Sequence, residues 1–203
     1  MIEAVTDHQL NAIMDIFSNN PKKIFIKNNV FCVQHNLIEN KKDHIKKLKK
    51  FRNLFNYFFV DTKKTTYLRT SNYLKKIENN KDHLMYCIFY KKELIGQYGL
   101  KHLGKKRIEL DNAIRFSTLG GRKLFDIIQK KMFRLIRKNN KGFNILIVVK
   151  KNNLSALKLH KKFKFKNAKL ICDISDLINK QNSSYLKGID LNNFLVQGVK
   201  TIK

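Results

Sequence analysis

Apolar and polar residues alternate along three neighbouring stretches in the middle of the chain. They predict three successive antiparallel strands at residues 85–90, 94–103 and 107–114. Gly96 and Gly99 inside the second stretch predict a bulge or a close approach by another segment. Further on, apolar residues recur at helical spacing and predict one face of an amphipathic helix. That face consists of Leu124, Phe125, Ile128, Met132, Leu135 and Ile136.

A continuous apolar run, NILIVV at residues 144–149, follows this helix and is typical of a strand buried on both faces of a sheet. A shorter helix should then end near Phe163. The other predicted elements are helices at residues 7–17, from 41, and at 64–77, a β-hairpin at 23–26 and 30–37, and strands at 168–174 and 193–202. Residues 176–190 are polar and turn-rich. The order predicts a mixed α/β fold: a mostly antiparallel sheet with helices on both faces.

A glycine pair, Gly120 and Gly121, joins the third alternating strand to the amphipathic helix. The first N–H groups of a helix have no intrahelical partner and lie at the positive end of its dipole, where phosphate binds. Arg122 and Lys123 occupy the first turn, where the dipole disfavours cations unless an anion is bound. The turn alone fits a phosphate-binding loop and an ordinary strand–turn–helix equally well.

Charge is the most unusual feature of the composition. The 203 residues carry a formal net charge of +28, with 43% hydrophobic and 11% aromatic residues. That apolar content excludes an intrinsically disordered chain. The charge implies attraction to polyanions such as nucleic acid, anionic membranes, an acidic carrier protein or a phosphorylated substrate. Because basic residues are spread over the whole length, a generally Lys- and Asn-rich composition explains most of the charge without a specific partner.

Three cysteines, Cys32, Cys87 and Cys172, lie far apart in the chain. They show no metal-ligand spacing, and an odd number argues against a closed set of disulfides, so we expect a reducing, cytoplasmic environment and no metal. The first residues lack the basic-then-apolar order of a secretion signal, and no apolar run approaches the ~20 residues that cross a bilayer. A soluble protein is expected.

Two motifs in the second half of the chain carry a family resemblance. The spacing of Asn153, Ala156, Leu159, His160 and Phe165 resembles the N-x-x-A-x-x-L-Y-x-x-x-G-F signature of the GCN5-related N-acetyltransferases. The segment LGGRKLF resembles the acyl-CoA pyrophosphate loop of that superfamily, in particular of a bacterial branch associated with amino-sugar and surface-polysaccharide modification. Phe51-Arg52-Asn53 resembles the W-R-N of a branch that includes ribosomal-protein acetyltransferases.

The resemblance implies transfer of an acyl group from an acyl-CoA, such as acetyl-CoA, to an amine. It places the coenzyme where the strand before Gly120 and the strand at 144–149 separate. A backbone N–H of the strand at 107–114 would polarise the thioester carbonyl. The implied cofactor-binding residues are Ile114, Arg115, Leu119, Gly120, Gly121, Arg122, Lys123, Asn153 and Ala156.

The amine must be neutral to attack, so such a site needs a base. Glu109 and Asp111 share one face of their strand by period-two alternation, and either one could accept the proton directly or through water. Each could instead be a charged strand residue that balances the many lysines.

The leaving thiolate needs a proton donor, which in the family is often a tyrosine at the position of His160. Histidine, with an ordinary pKa of ~6.5, can supply a proton, yet a lone histidine on a lysine-rich helix is more often an exposed surface residue. Lys164 replaces the usual glycine, so the helix is expected to lack its left-handed terminal residue.

Function is predicted from these features together. We expect one acyltransferase domain at residues 28–203, preceded by an extension, a helix and a strand, at 1–27. The predicted activity is N-acetylation of a small amine, first of all an amino sugar or nucleotide-linked amino sugar. A protein N-terminus or side chain is an alternative acceptor, although a basic protein would be repelled. A nucleic-acid-binding protein on a non-catalytic scaffold of the same fold is the other class, but no nucleic-acid-binding motif is present. A monomer and a homodimer are both open.

Overall fold

The computed structural model describes residues 22–27, 29–59, 62–104, 106–139, 142–167 and 194–200. The strands are β1 (Lys23–Lys27), β2 (Val30–Gln34), β3 (His83–Tyr90), β4 (Glu93–His102), β5 (Arg107–Arg115), β6 (Asn144–Lys150), β7 (Lys166–Asn167) and β8 (Phe194–Lys200). The helices are α1 (Lys41–Leu54), α2 (Tyr67–Glu78), α3 (Leu124–Asn139) and α4 (Leu154–Lys162), with 3₁₀ turns at His35–Leu37 and Asn56–Phe58. The helix predicted at 7–17, the strand predicted at 168–174 and the polar segment at 176–190 lie outside the described residues.

The described strands form one eight-stranded sheet, in the order β1-β2-β3-β4-β5-β6-β8-β7. β5 and β6 pair in parallel, and the other neighbours pair antiparallel. The predicted mixed, mostly antiparallel α/β architecture is confirmed. β1 is the edge strand of this same sheet, so the domain boundary proposed at residue 27 stays a prediction.

Helices cover both faces of the sheet, as the sequence predicts. On one face α3 buries Leu124, Ile128, Met132 and Ile136 against residues of the central strands, including Tyr98 and Ile108. On the other face α1 and α2 bury Ile45, Leu48, Leu74 and Ile77 against Met85 of β3 and Ile114 of β5. Each such side chain contributes about 1.5–3 kcal/mol by leaving water. No helix in the described part of the chain is long and apolar enough to cross a membrane.

The predicted irregularity at Gly96 and Gly99 is confirmed. The register between β4 and β5 shifts between Gln97 and Gly99, and Asn112 on β5 has a positive φ of 48°. A Cβ on Gly96 would lie 2.6 Å from the Ile114 carbonyl oxygen, and one on Gly99 would lie 2.6 Å from that of Asp111. The glycines therefore let β5 bulge against β4, and a bulge leaves its extra residue outside the ladder.

Lys164 corrects one expectation. Although it is not glycine, it adopts the left-handed conformation, with φ of 60°. The Lys164 N–H donates to the Lys161 carbonyl at 3.0 Å, and the Phe165 N–H donates to the His160 carbonyl at 3.3 Å. These two bonds form a Schellman cap, and the rings of His160 and Phe165 supply its usual contact at 5.3 Å. The cap forms despite the steric cost of a side chain at that position.

Replacing Lys164 by glycine should therefore stabilise the protein by about 1 kcal/mol, because glycine adopts positive φ without steric cost. Chemical denaturation monitored by circular dichroism measures the change. Lys166→Gly, at an exposed position two residues on in β7, is the matched control and should destabilise. Equal or lower stability of the Lys164→Gly variant would contradict the strain assigned to this cap.

Candidate active site

The two parallel strands of the sheet separate and open a cleft. β5 and β6 pair only at Arg107–Asn144, Ile108–Ile145 and Glu109–Leu146. Beyond these pairs β5 continues to Arg115 and β6 to Lys150, without further pairing between them. The other edge of β6 pairs with β8 along its whole length. A cavity of about 1250 Å³ fills the gap and extends between α1, α2 and α4. The predicted separation of the two strands is present.

Backbone donors gather at the end of β5, in the loop that leads to α3. The Leu119 N–H donates to the Ser117 hydroxyl, and the Leu124 N–H donates to the Gly121 carbonyl. Between them, the N–H groups of residues 120–123 donate to no acceptor in the described part of the chain. Gly120 and Gly121 have φ of +82° and +85°, a conformation that side chains rarely adopt. The loop thus presents consecutive donors at a helix N-terminus, where anions bind.

Arg115 fixes this loop from the strand side. Its guanidinium donates to the carbonyl oxygens of Ser117, Thr118 and Leu119, at 2.6 Å to Ser117 and 3.2 Å to Leu119. These three carbonyls are thereby neutralised by one cation, which keeps them from repelling an anion at the neighbouring N–H groups. The structure gives Arg115 a role in shaping the loop.

The predicted cofactor-binding residues divide into two groups. Ile114, Arg115, Arg122, Asn153 and Ala156 line the cleft. Leu119, Gly120, Gly121 and Lys123 are not among its lining residues and belong to the loop beside it. Asn153 caps α4, because its Oδ1 accepts from the Ala156 N–H at 3.2 Å. This cap uses the side-chain oxygen and leaves the side-chain NH₂ of Asn153 out of it.

The two candidate bases, Glu109 and Asp111, both line the cleft, yet in different surroundings. Glu109 is buried and lies opposite Lys101 in the pairing of β4 with β5. One Asp111 carboxylate oxygen lies 3.0 Å from Nε2 of His83 on β3. Burial raises the pKa of Asp111, but hydrogen bonds from His83 and Asn112 and the charge of His83 outweigh it and lower the pKa overall. Asp111 is therefore an ionised partner of His83 and a weak proton acceptor.

His160 is not the exposed surface residue that the sequence analysis gave as one alternative. It is 8% exposed, lines the cleft, and its Nδ1 has no hydrogen-bond partner among the described residues. Burial lowers the pKa of His160 to about 4, so the imidazole is neutral at pH 7. A neutral imidazole is a poor proton donor, and the residue is better suited to a hydrogen bond with a ligand.

Sequence reasoning missed His83, Tyr73 and Asn112. The Asn112 side-chain NH₂ donates to the Tyr73 hydroxyl at 2.7 Å, which ties α2 to the bulge of β5. Burial, with the charge of Asp111, raises the pKa of Tyr73 well above its ordinary value, so this phenol stays protonated. Alternation along β3 and β5 assigns His83 and Asp111 each to a face of the sheet. Only the order of the strands shows that the two side chains lie next to each other.

The half of the cleft under α1 and α2 combines aromatic rings with cations. Its rings come from Phe51, Phe55, Phe58, Phe59 and Tyr73, and its cations from Arg52, Arg69, Lys76 and Lys101. The Arg52 guanidinium lies 4.7 Å from the centre of the Phe59 ring, a cation–π contact that holds it in place. Such a surface favours a ligand with both flat or apolar and anionic parts.

Comparison with known proteins supports the fold only. No family model and no curated protein matches the sequence. Among solved structures, the N-acetyltransferase PseH of Campylobacter jejuni is 15% identical, with a TM-score of 0.55, over 85% of this chain and 98% of that one. The Salmonella typhimurium acetyltransferase that modifies the N-terminal serine of ribosomal protein L7/L12 is 12% identical, with a TM-score of 0.62, over 88% and 98%.

A third similar structure is the microcin C7 self-immunity acetyltransferase MccE, in complex with acetyl-CoA and AMP. It is 9% identical, with a TM-score of 0.67, over 89% of this chain and 97% of that one. These alignments span nearly the whole of each relative, so the chain has the fold of the GCN5-related N-acetyltransferases. The fold predicted from the two motifs is confirmed.

Proposed function

We propose that this protein is an acyl-CoA-dependent N-acyltransferase that uses acetyl-CoA. The observation that carries the proposal is the separation of β5 from β6 next to a loop with four N–H groups that have no acceptor among the described residues. The cleft would receive the pantetheine arm and acyl group, while the loop at residues 120–123 would bind the pyrophosphate. Arg122, which lines the cleft, would add a charge-assisted contact.

The chemistry proceeds by direct attack on the thioester. A carboxylate of the cleft accepts a proton from the ammonium form of the amine, the neutral nitrogen adds to the carbonyl carbon, and the C–S bond breaks. Glu109 is our choice for this acceptor, because Asp111 is held by His83 and its pKa is lowered. The bulge of β5 at Asn112 would supply a backbone N–H to the developing oxyanion. The CoA thiolate then takes the second proton of the nitrogen, through water.

The acceptor we propose is a small amine on an anionic carrier, such as an amino sugar or a nucleotide-linked amino sugar. The four cations and the aromatic rings under α1 and α2 support this choice, because they complement phosphate and a flat or apolar group in one ligand. The structure of MccE with AMP offers an analogy in the same fold. A protein N-terminus is the second candidate, which the similarity to the L7/L12 acetyltransferase favours.

Calorimetric titration of acetyl-CoA and CoA into the full chain, at low salt and at ~0.3 M salt, tests the proposal. We expect micromolar binding at both, because bulk electrostatic attraction is strongly screened at the higher concentration. A panel of amino sugars, their nucleotide conjugates and peptide N-termini, scored by CoA release, then identifies the acceptor class. Binding that disappears with salt would overturn the enzyme assignment and favour a polyanion-binding protein on this scaffold.

A further inference from the structure

Two histidines and a cysteine meet on the face of the sheet that α1 covers. His35 follows β2, His44 lies in the first turns of α1, and Cys87 lies in β3; all three are buried. The two Nδ1 atoms are 2.8 Å apart, and the Cys87 Sγ lies 3.8 Å from Nδ1 of His35 and 3.4 Å from Nδ1 of His44. Three donor atoms from three separate elements therefore face one point.

The outer ring nitrogens determine which atoms face that point without a proton. His44 Nε2 lies 2.7 Å from Oε1 of Gln97, whose own NH₂ donates to the Asn112 carbonyl. The Gln97 oxygen can only accept, so the proton of His44 is on Nε2. Nε2 of His35 lies 3.4 Å from a carboxylate oxygen of Glu78, which likewise places the proton there.

Both Nδ1 atoms are then bare lone pairs at hydrogen-bond distance, an arrangement that needs a cation between them. A shared proton is one solution, but it involves only the two histidines and not the Cys87 Sγ, which lies 3.4 Å from Nδ1 of His44. A metal ion satisfies all three donors together.

We propose that His35, His44 and Cys87 bind a transition-metal ion, first of all Zn²⁺. Zinc–nitrogen and zinc–sulfur bonds of about 2.0–2.1 and 2.3 Å set tetrahedral ligand separations of roughly 3.3–3.6 Å. The separations in this cluster, 2.8, 3.4 and 3.8 Å, lie on either side of that range. Histidine ligands of zinc commonly donate their second N–H to a carboxylate or a carbonyl, as Glu78 and Gln97 provide here. One vertex of the tetrahedron is left for a solvent molecule. The cysteine proton leaves on binding, so the site carries one net positive charge.

The ion would join α1 to the sheet beside the cleft. α1 supplies Phe51 and Arg52 to the aromatic half of the cavity, and Gln97 links His44 to the bulged strand β5. The sequence predicted no metal because the cysteines lack metal spacing along the chain. That criterion cannot detect a site whose ligands lie 9 and 43 residues apart. The site is independent of the acyltransferase proposal.

The full chain, freed of metal and titrated with Co²⁺, tests the site. We expect about one equivalent to produce a sulfur-to-cobalt charge-transfer band with intense tetrahedral ligand-field bands, which Zn²⁺ then abolishes. Cys87→Ser should remove the charge-transfer band. Cys32→Ser is the matched control, because Cys32 is also a buried free cysteine, on the neighbouring strand β2 with its side chain in the opposite core; it should retain the band.

A second measurement on the wild-type chain guards against a Cys87 variant that does not fold. Elemental analysis after purification without chelator should find close to one zinc per chain, and chelation should lower the melting temperature. Absence of both bound zinc and the cobalt band would overturn the proposal. So would a band that survives in a folded Cys87→Ser variant but is lost in Cys172→Ser, since Cys172 lies outside the described residues.

Discussion

Replacing Gly120 by alanine should weaken acetyl-CoA binding at least tenfold, measured as the dissociation constant by calorimetry. Gly120 has φ of +82°, and a Cβ there would lie 3.0 Å from a methyl group of Leu124. Alanine is strained at positive φ by about 1–3 kcal/mol, which the loop relieves by turning its peptide groups. Turned peptides no longer present the N–H groups of residues 120–123 together, so the pyrophosphate loses several hydrogen bonds.

Gly104→Ala is the matched control for backbone strain. Gly104 has φ of +75°, nothing lies within 4 Å of a Cβ built there, and it precedes β5, whereas the loop follows that strand. The substitution should lower stability by a similar amount yet leave the affinity for acetyl-CoA within about twofold. Equal affinity of the Gly120 and Gly104 variants would show that the loop does not bind the coenzyme.

Most of the sheet could be predicted from the sequence, because its information is local. Alternation set the bounds of β3, β4 and β5 to within two residues, and the apolar stripe of α3 was correct. The bulge was also predictable, since two glycines in one strand have few other uses. The separation of β5 from β6 was predicted only through the family resemblance, because spacing along the chain does not show where parallel strands stop pairing.

The chemistry of the site was harder to predict, because spacing along the chain does not show which residues lie close together in space. His83 and Asp111 lie 28 residues apart and come together only because β3 and β5 flank β4. The burial of His160 was missed because its neighbours Lys161 and Lys162 suggested an exposed helix, although one face of α4 packs on the core. Lys164 is the opposite case. Its side chain argued against a left-handed conformation, but the helix cap imposes that conformation.

Glu109→Gln should lower kcat by a factor of about 10²–10⁴ at pH 7, the range expected for loss of a general base. The amide has nearly the same shape, so the affinity for acetyl-CoA should change little. Asp111→Asn is the matched control on the same face of β5 and should cost less, because the pKa of Asp111 is already lowered by His83 and Asn112. Both rates are measured as CoA release with an acceptor from the panel.

The dependence on pH separates loss of a base from loss of structure. A base is needed only while the acceptor amine is protonated, so the rate of the Glu109 variant should rise about tenfold per pH unit until the amine is neutral. The wild-type rate should level off earlier, since Glu109 takes the proton from the amine within the complex. A Glu109 variant that is slow by a constant factor at every pH would mean that Glu109 positions the substrate. A larger loss in Asp111→Asn would transfer the role of base to the pair of Asp111 and His83, whose atoms lie 3.0 Å apart at the edge of the same cleft.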